Sequence, residues 1–157
     1  MAILKIARIG HPILLKKTSE IKDIRSENIK KIVYDMSETM IDANGVGLAA
    51  PQVHLKHRLF IFRDPFQEED KEIQIIELQN PEIIKISDET NEAWEGCLSI
   101  PGMLGLVRRF SKIKYSGYDL QGNKIEENAD GLLARIIQHE FDHLNGILYT
   151  SRLTHKD

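Results

Sequence analysis

His139-Glu140-Phe141-Asp142-His143 sets two imidazoles four residues apart with carboxylates between them. On a helix such residues share one side, with Cβ atoms about 5 to 6 Å apart, so both rings can turn a nitrogen toward one cation. Glu140 follows the first imidazole and can reach a water beside that cation without ligating it. The chemistry of such an arrangement is metal-assisted hydrolysis. The alternative is a solvated helix face that carries two His and two acids by chance, and the choice turns on a third ligand.

The third ligand also decides the kind of metal enzyme. A metzincin pattern would need His where this chain has Tyr149, and a thermolysin-like site would need a Glu farther along. No Glu follows His143, where only His155 and Asp157 remain as donors. The third ligand is therefore expected upstream, and the best candidate is Cys97 in Trp94-Glu95-Gly96-Cys97-Leu98-Ser99. A thiolate suits zinc or ferrous iron, and Gly96 lets backbone pack close to an ion. A lone Cys is more often a small buried hydrophobe. Beside a two-His helix with no ligand downstream, ligation is the stronger reading. Leu132, Ile136, His139 and His143 follow one another at helical spacing, so two apolar side chains share the ligand face. That face predicts an apolar pocket beside the metal, with Leu132 and Ile136 as one wall.

These groups need elements to hold them. A helix is expected over 131–145, with Asp130 as its cap and Gly146 as its stop. A second, amphipathic helix is expected over 27–44, capped by Ser26 and ended by Asn44-Gly45. Ile29, Ile32, Val33, Met36 and Met40 form its apolar stripe. Next comes Gly45-Val46-Gly47-Leu48-Ala49-Ala50-Pro51-Gln52, small and Gly-rich, where backbone can approach another group closely. Strands are expected at Arg58-Phe62, Ile73-Leu78, Glu82-Ile86 and Lys112-Tyr118. Asn80-Pro81 and Gln121-Gly122-Asn123 read as turns, and Asp64 to Asp70 as a solvated loop. The expected fold class is α+β: one domain over 1–157, with short, mostly antiparallel strands packed around a C-terminal metal-binding helix and an N-terminal amphipathic helix.

Composition narrows the class further. With 157 residues, 41% hydrophobic and 29% charged, the chain can bury one core and is not expected to be disordered. A net charge of -3 gives no general reason to hold nucleic acid or an anionic membrane. The densest basic cluster, Arg108, Arg109, Lys112 and Lys114, is modest. No stretch approaches the roughly 18 to 20 apolar residues of a membrane span. Met1 to Gly10 alternates apolar and basic residues and lacks the apolar run of a secretion signal. A single Cys excludes an internal disulfide and suits a reducing compartment. The expectation is a cytoplasmic protein.

Gly45-Val46-Gly47-Leu48-Ala49-Ala50-Pro51-Gln52, Glu95-Gly96-Cys97-Leu98-Ser99 and Gln138-His139-Glu140-Phe141-Asp142-His143 together resemble the three signature motifs of peptide deformylases, in that family's order. The likeness extends over essentially the whole chain, including Arg8-Ile9-Gly10-His11-Pro12. It implies that Cys97, His139 and His143 are metal ligands, with water as the fourth, and that Glu140 is the general base. The Gln52 side chain and the Leu98 backbone N–H would be the oxyanion donors. The backbone at Val46 and Gly96 would pair with the extended substrate peptide, and Gly47 would also bind substrate. The implied substrate is the N-formyl group on the initiator methionine of nascent chains, and the implied products are formate and a free amino terminus. The implied cofactor is one divalent ion, Fe2+ in the cell, with Zn2+, Ni2+ or Co2+ also accepted by such ligands. The implied partners are N-formylmethionyl peptides and nascent chains, with room for a transient ribosome contact, and neither a stable nucleic-acid partner nor a membrane.

In the loop expected after the Cys motif, Leu104 stands where many members carry Arg, and Arg108 stands where they often carry Pro, so loop shape and peptide-entry contacts are expected to differ while the chemical groups remain. Asp142 is expected to pair with a basic residue, Arg109 first, or to be solvated. Trp94 is placed at the border of the methionine pocket or in the core, and His11, His54 and His57 on the surface or in packing. Two rivals share the motif: a metallopeptidase that cleaves internal bonds, and a module with a structural ion or a purely binding role. A structural zinc usually has four protein ligands, whereas only three are found in this sequence.

Overall fold

The computed structural model describes residues 2–68 and 70–154. His155 and Asp157, the residual donors of the tail, lie outside the described residues. In chain order the elements are α1 (Glu27–Asp42), β1 (Gly47–Ala49), β2 (Leu59–Arg63), β3 (Ile75–Lys85), β4 (Thr90–Cys97), β5 (Ile100–Phe110), β6 (Lys112–Tyr118), β7 (Lys124–Asp130) and α2 (Gly131–Leu144). Short 3-10 turns occupy Pro12–Leu15, Ala50–Val53 and Tyr149–Arg152. The class is α+β as expected, and every pairing between these strands is antiparallel.

Five strands form one sheet in the order β1-β2-β3-β6-β7, and β4 and β5 form a separate hairpin. β2 explains how the layers meet. Its run Leu59-Phe60-Ile61-Phe62 is apolar on both faces, as a strand covered on both sides must be, and all four residues are buried. Phe60 and Phe62 join Leu78, Ile113 and Tyr115 against Ala134, Ile137 and Leu144 of α2. Leu59 and Ile61 turn the other way and meet Ile29, Val33, Met36 and Met40 of α1. The hairpin closes over a third cluster that includes Ala7, Leu14, Val107 and Tyr149. α2 is thereby pinned between the sheet and the hairpin, with its ligand-bearing turns facing the latter.

α1 is capped by Ser26, whose Oγ accepts from the Ile29 N–H at 3.1 Å. It ends two residues earlier than expected, and Asn44, at φ 56°, takes the left-handed conformation assigned to Gly45. At Gly45 a Cβ would stand 2.8 Å from Leu98 Cδ1, so a larger residue there would make the Leu98 side chain shift. Asp130 occupies the N-cap position of α2 but its side chain makes no capping hydrogen bond, while Gly146, at φ 74°, ends the helix as expected.

Asn80-Pro81 is not a turn. The strands expected on either side of it are one strand, β3, whose pairing with β6 shifts register between Gln79 and Glu82. Proline and a left-handed Asn, at φ 50°, are tolerated there because the irregularity releases them from the ladder. The Asn80 side chain both accepts from the Ile21 N–H and donates to the Ile21 carbonyl, each at 2.8 Å. Lys112-Tyr118 coincides with β6, and the expected turn at 121–123 joins it to β7. Among the described residues no helix is long and apolar enough to cross a membrane.

Candidate metal centre

Three elements converge on Cys97. The sulfur leaves β4 at the hairpin end, where Cys97 pairs with Ile100. His139 and His143, one turn apart on α2, face it with ring centroids 5.1 Å apart. Cys97 Sγ lies 3.4 Å from His143 Nε2, and the donor atoms of Cys97, His139 and His143 all fall within 4.8 Å of one another. The 3-10 turn at Ala50–Val53 brings Gln52, whose Nε2 is 3.5 Å from the same sulfur and donates to Ser99 Oγ at 3.1 Å. The Gln52 carbonyl oxygen is fixed by the Ala49 N–H at 2.9 Å, so the amide can present only its NH2 to the cluster.

The cluster fits a divalent cation. Burial alone would push His139 down, but the Cys97 sulfur and the Glu95 carboxylate outweigh it and raise the imidazole to about 10. One thiol and two imidazoles with their donor atoms within 4.8 Å of one another, and a carboxylate behind one ring, form a donor set that suits a divalent cation. His143 is driven well below its ordinary value by burial, then by the positive charges of His139 and Arg109. It is therefore neutral, as a ligand must be. Glu140 is buried, and one of its oxygens, Oε1, has no hydrogen-bond partner among the described residues. Burial raises its carboxyl to about 7. Gly47 makes room for that side chain, since a Cβ there would come within 2.7 Å of Glu140 Oε2.

A buried charge network stands behind the ligands. Glu95 accepts from Arg109 Nε and Nη2, both at 2.9 Å, from Arg135 Nη1 at 2.7 Å, and lies 2.9 Å from His139 Nδ1. Although burial opposes ionisation, these partners hold Glu95 far below the ordinary carboxylate range. The contact with His139 fixes the ring so that Nε2 faces the sulfur. Asp142 bonds Arg109 Nη1 at 2.6 Å and Arg152 Nε at 2.6 Å, so the expected Arg109 pairing is present and solvated Asp142 is excluded. Tyr149 stacks on His139 with ring centroids 6.1 Å apart.

The cluster lies at the base of a cleft of about 490 Å³. Val46, Gly47, Gln52, Gly96, Cys97, Leu98, Leu132, Ile136, His139 and Glu140 all line it, while His143 sits behind them. Ile136 is buried in its wall and Leu132 is exposed nearer the mouth. Trp94 is on the rim and out of the core. His11 and His54 are exposed, well apart in role from the cluster, with His11 Nδ1 accepting from the Ile13 N–H. The roles of Glu95, Arg135, Ser99 and Tyr149 were not foreseen from the sequence. Glu95 lies inside the Cys motif, two residues before the sulfur, and that position is its one signal in the sequence.

A family model for polypeptide deformylase matches residues 3–157. The chain belongs to the polypeptide deformylase family. Among deformylases of similar sequence, peptide deformylase 1 of Bordetella pertussis is 43% identical over 153 residues, covering 94% of this chain and 86% of that protein. The crystal structure of the deformylase from Thermotoga maritima superimposes with a TM-score of 0.89 at 38% identity, covering 98% of this chain and 99% of that one. A class I type b peptide deformylase from Acinetobacter baumannii, solved with Met-Ala-Ser bound, gives a TM-score of 0.87 at 36% identity over 96% of this chain and 98% of that one. Deformylase membership makes the chain an enzyme and leaves the assignment of its individual residues to chemical argument.

Proposed function

We propose that residues 1–157 act as a single metal-dependent catalytic domain that removes the formyl group from the initiator methionine of nascent polypeptides and releases formate. The observation that carries this reading is the buried Glu140 carboxylate, one oxygen without a partner among the described residues, beside three convergent ligand atoms at the base of an apolar cleft. Cys97, His139 and His143 would hold one divalent ion, which when bound supplies Lewis acidity toward water and the formyl carbonyl. Fe2+ is the ion proposed for the cell, and Zn2+, Ni2+ or Co2+ satisfy the same donors.

In this reading Glu140 takes the proton of the attacking water and later gives it to the departing nitrogen. A carboxyl raised to about 7 is suited to both transfers near neutral pH. Water adds to the formyl carbon, the C–N bond breaks, and formate and a free amine leave. Charge that gathers on the carbonyl oxygen would be met by two donors, the Gln52 amide and the Leu98 N–H. Gln52 needs no reorganisation for this, because Ala49 and Ser99 hold its amide from both ends. Val46, Gly47 and Gly96 would lie along the extended peptide, and Leu132 and Ile136 would receive the methionine side chain, whose burial contributes roughly 1.5 to 3 kcal/mol. Formylated chains arise at the ribosome, so the proposed setting is cytoplasmic, with nascent chains as partners, room for a transient ribosome contact, and neither stable nucleic acid nor membrane.

The test is formate release from formyl-Met-Ala by anaerobically prepared protein of measured metal content. New internal termini without formate would overturn the proposal in favour of a peptidase. Glu140→Gln is expected to keep its metal and lose most turnover, and parental activity in that variant would remove the general base.

A further inference from the structure

Tyr149 stands where a metzincin would carry its third imidazole, and the fold returns its side chain to the metal centre all the same. Gly146, at φ 74°, reverses the chain after α2, and Tyr149 comes back buried at the start of the last 3-10 turn. Its ring lies beside that of His139 with 26° between the planes and 6.1 Å between the centroids, an offset stack. The tyrosine itself rests on β5. A Cβ at Gly105 would stand 2.9 Å from Tyr149 Cε2, and the hydroxyl donates to the Met103 carbonyl at 3.4 Å. The turn is tied to both neighbours. Arg152 holds Asp142 of α2 through Nε at 2.6 Å and Nη2 at 3.0 Å, and the Thr154 N–H donates to the Leu106 carbonyl of β5 at 3.0 Å. The ring is thus carried by a strap that bridges helix and hairpin.

We propose that Tyr149 is a positioning residue for the metal, its ring holding His139 by the face and thereby setting the affinity and coordination geometry of the ion. The proposal rests on the reading of Cys97, His139 and His143 as ligands. His139 lines the cleft and keeps 13% of its side chain exposed, whereas His143 is buried. A hydrogen bond at Nδ1, such as the one to Glu95, acts in the plane of the imidazole. It sets the direction of Nε2 but leaves the ring free to tilt about that axis. A flat aromatic against the face removes the tilt. Its electron-rich face also favours an imidazole that turns positive as it shares its lone pair with a cation. The work falls to the aromatic ring and not to the hydroxyl, whose one contact is long.

The experiment uses Co2+ as its probe, because the visible absorption of that ion reports the geometry of its ligands. Tyr149→Phe keeps the ring, and Tyr149→Leu keeps apolar bulk without a flat face. By competition with a chelator, Tyr149→Leu should bind Co2+ about 10-fold more weakly than the parent, while Tyr149→Phe stays within about twofold. The Co2+ bands should shift in Tyr149→Leu and coincide with those of the parent in Tyr149→Phe. Thermal unfolding of the metal-free proteins is followed alongside. A lower Tm in Tyr149→Leu with parental Co2+ affinity and bands would reduce Tyr149 to packing and overturn the proposal. Equal losses in the leucine and phenylalanine variants would overturn it as well. Should Tyr149→Leu not fold, Tyr149→Met is flexible enough to fill the same space and carries the same expectations. Formate release from formyl-Met-Ala is measured on the same samples. A parent protein that binds Co2+ without releasing formate overturns the deformylase reading and leaves this proposal standing.

Discussion

Changing Glu95 to Gln should separate two duties of the buried network. Four contacts converge on this carboxylate, three from guanidinium nitrogens and one from His139 Nδ1. With Asp142 it balances Arg109 and Arg135, all four residues being buried. An amide keeps the shape but removes the charge, and its NH2 end must face nitrogens that only donate. Leaving a buried arginine uncompensated costs about 3 to 5 kcal/mol. For a chain of this size that corresponds to a fall in Tm of roughly 10 °C. Separately, loss of the charged acceptor on His139 Nδ1 should weaken metal binding by about 10- to 100-fold. Adding Arg135→Met removes the surplus charge, so the double variant should regain part of its stability but none of its metal affinity. Urea or thermal unfolding of metal-free protein reads the first effect, and competition with a chromogenic chelator reads the second. A Tm within about 2 °C of the parent together with unchanged affinity would show that the network is a bystander and the reasoning wrong.

Gly47→Ala should drive the new methyl group against Glu140, lowering kcat about 100-fold while metal content holds, and a kcat within about twofold would show that the carboxylate tolerates displacement. Cys97→Ala should lower the metal-to-protein ratio after desalting, and full stoichiometry by elemental analysis would remove the sulfur from the ligand set. Asp35, buried on α1 and bonded by Lys31 Nζ at 2.8 Å, is held below its usual value chiefly by that lysine. A depressed folded value means its stabilisation is complete above the unfolded value and disappears as pH falls through the folded one. The stability gap between parent and Asp35→Asn should therefore be constant from pH 7 to about 5 and close below about 4. A gap by urea unfolding that stays constant down to about pH 3 would contradict this.

The parts of the site that were legible in the sequence are those written in local spacing. Two histidines four apart on a helix announce a shared target. The absence of a downstream ligand then points back to Cys97. The Arg109 partner of Asp142 was foreseen because His143 already claims the ligand face. Glu95 and Arg135 were not, since a lone charge in a strand or mid-helix reads as solvated until its counter-ion is known. Here the partners lie 14 to 44 residues away and only the hairpin's docking on α2 brings them together. The hairpin itself was hidden for a similar reason. β5 carries Pro101, Gly102 and Gly105, which read as loop, yet Gly105 suits the strand because a Cβ there would meet Leu153 and come within 2.9 Å of the Tyr149 ring. β7 was concealed by its charge: Lys124-Ile125-Glu126-Glu127 is an edge strand, and edges favour charged residues that block further pairing. Asn80-Pro81 misled because the signal of a turn is also the signal of a strand irregularity.

Cys97 and His143 approach to 3.4 Å across 46 residues of chain. A cation gripping both would tie a loop of that length, and by chain entropy such a tie is worth about 4 kcal/mol. Scarcity of the ion would then do more than idle the enzyme. Unclasped copies would open more often and meet proteases sooner, so cellular abundance would track the supply of metal as closely as turnover does.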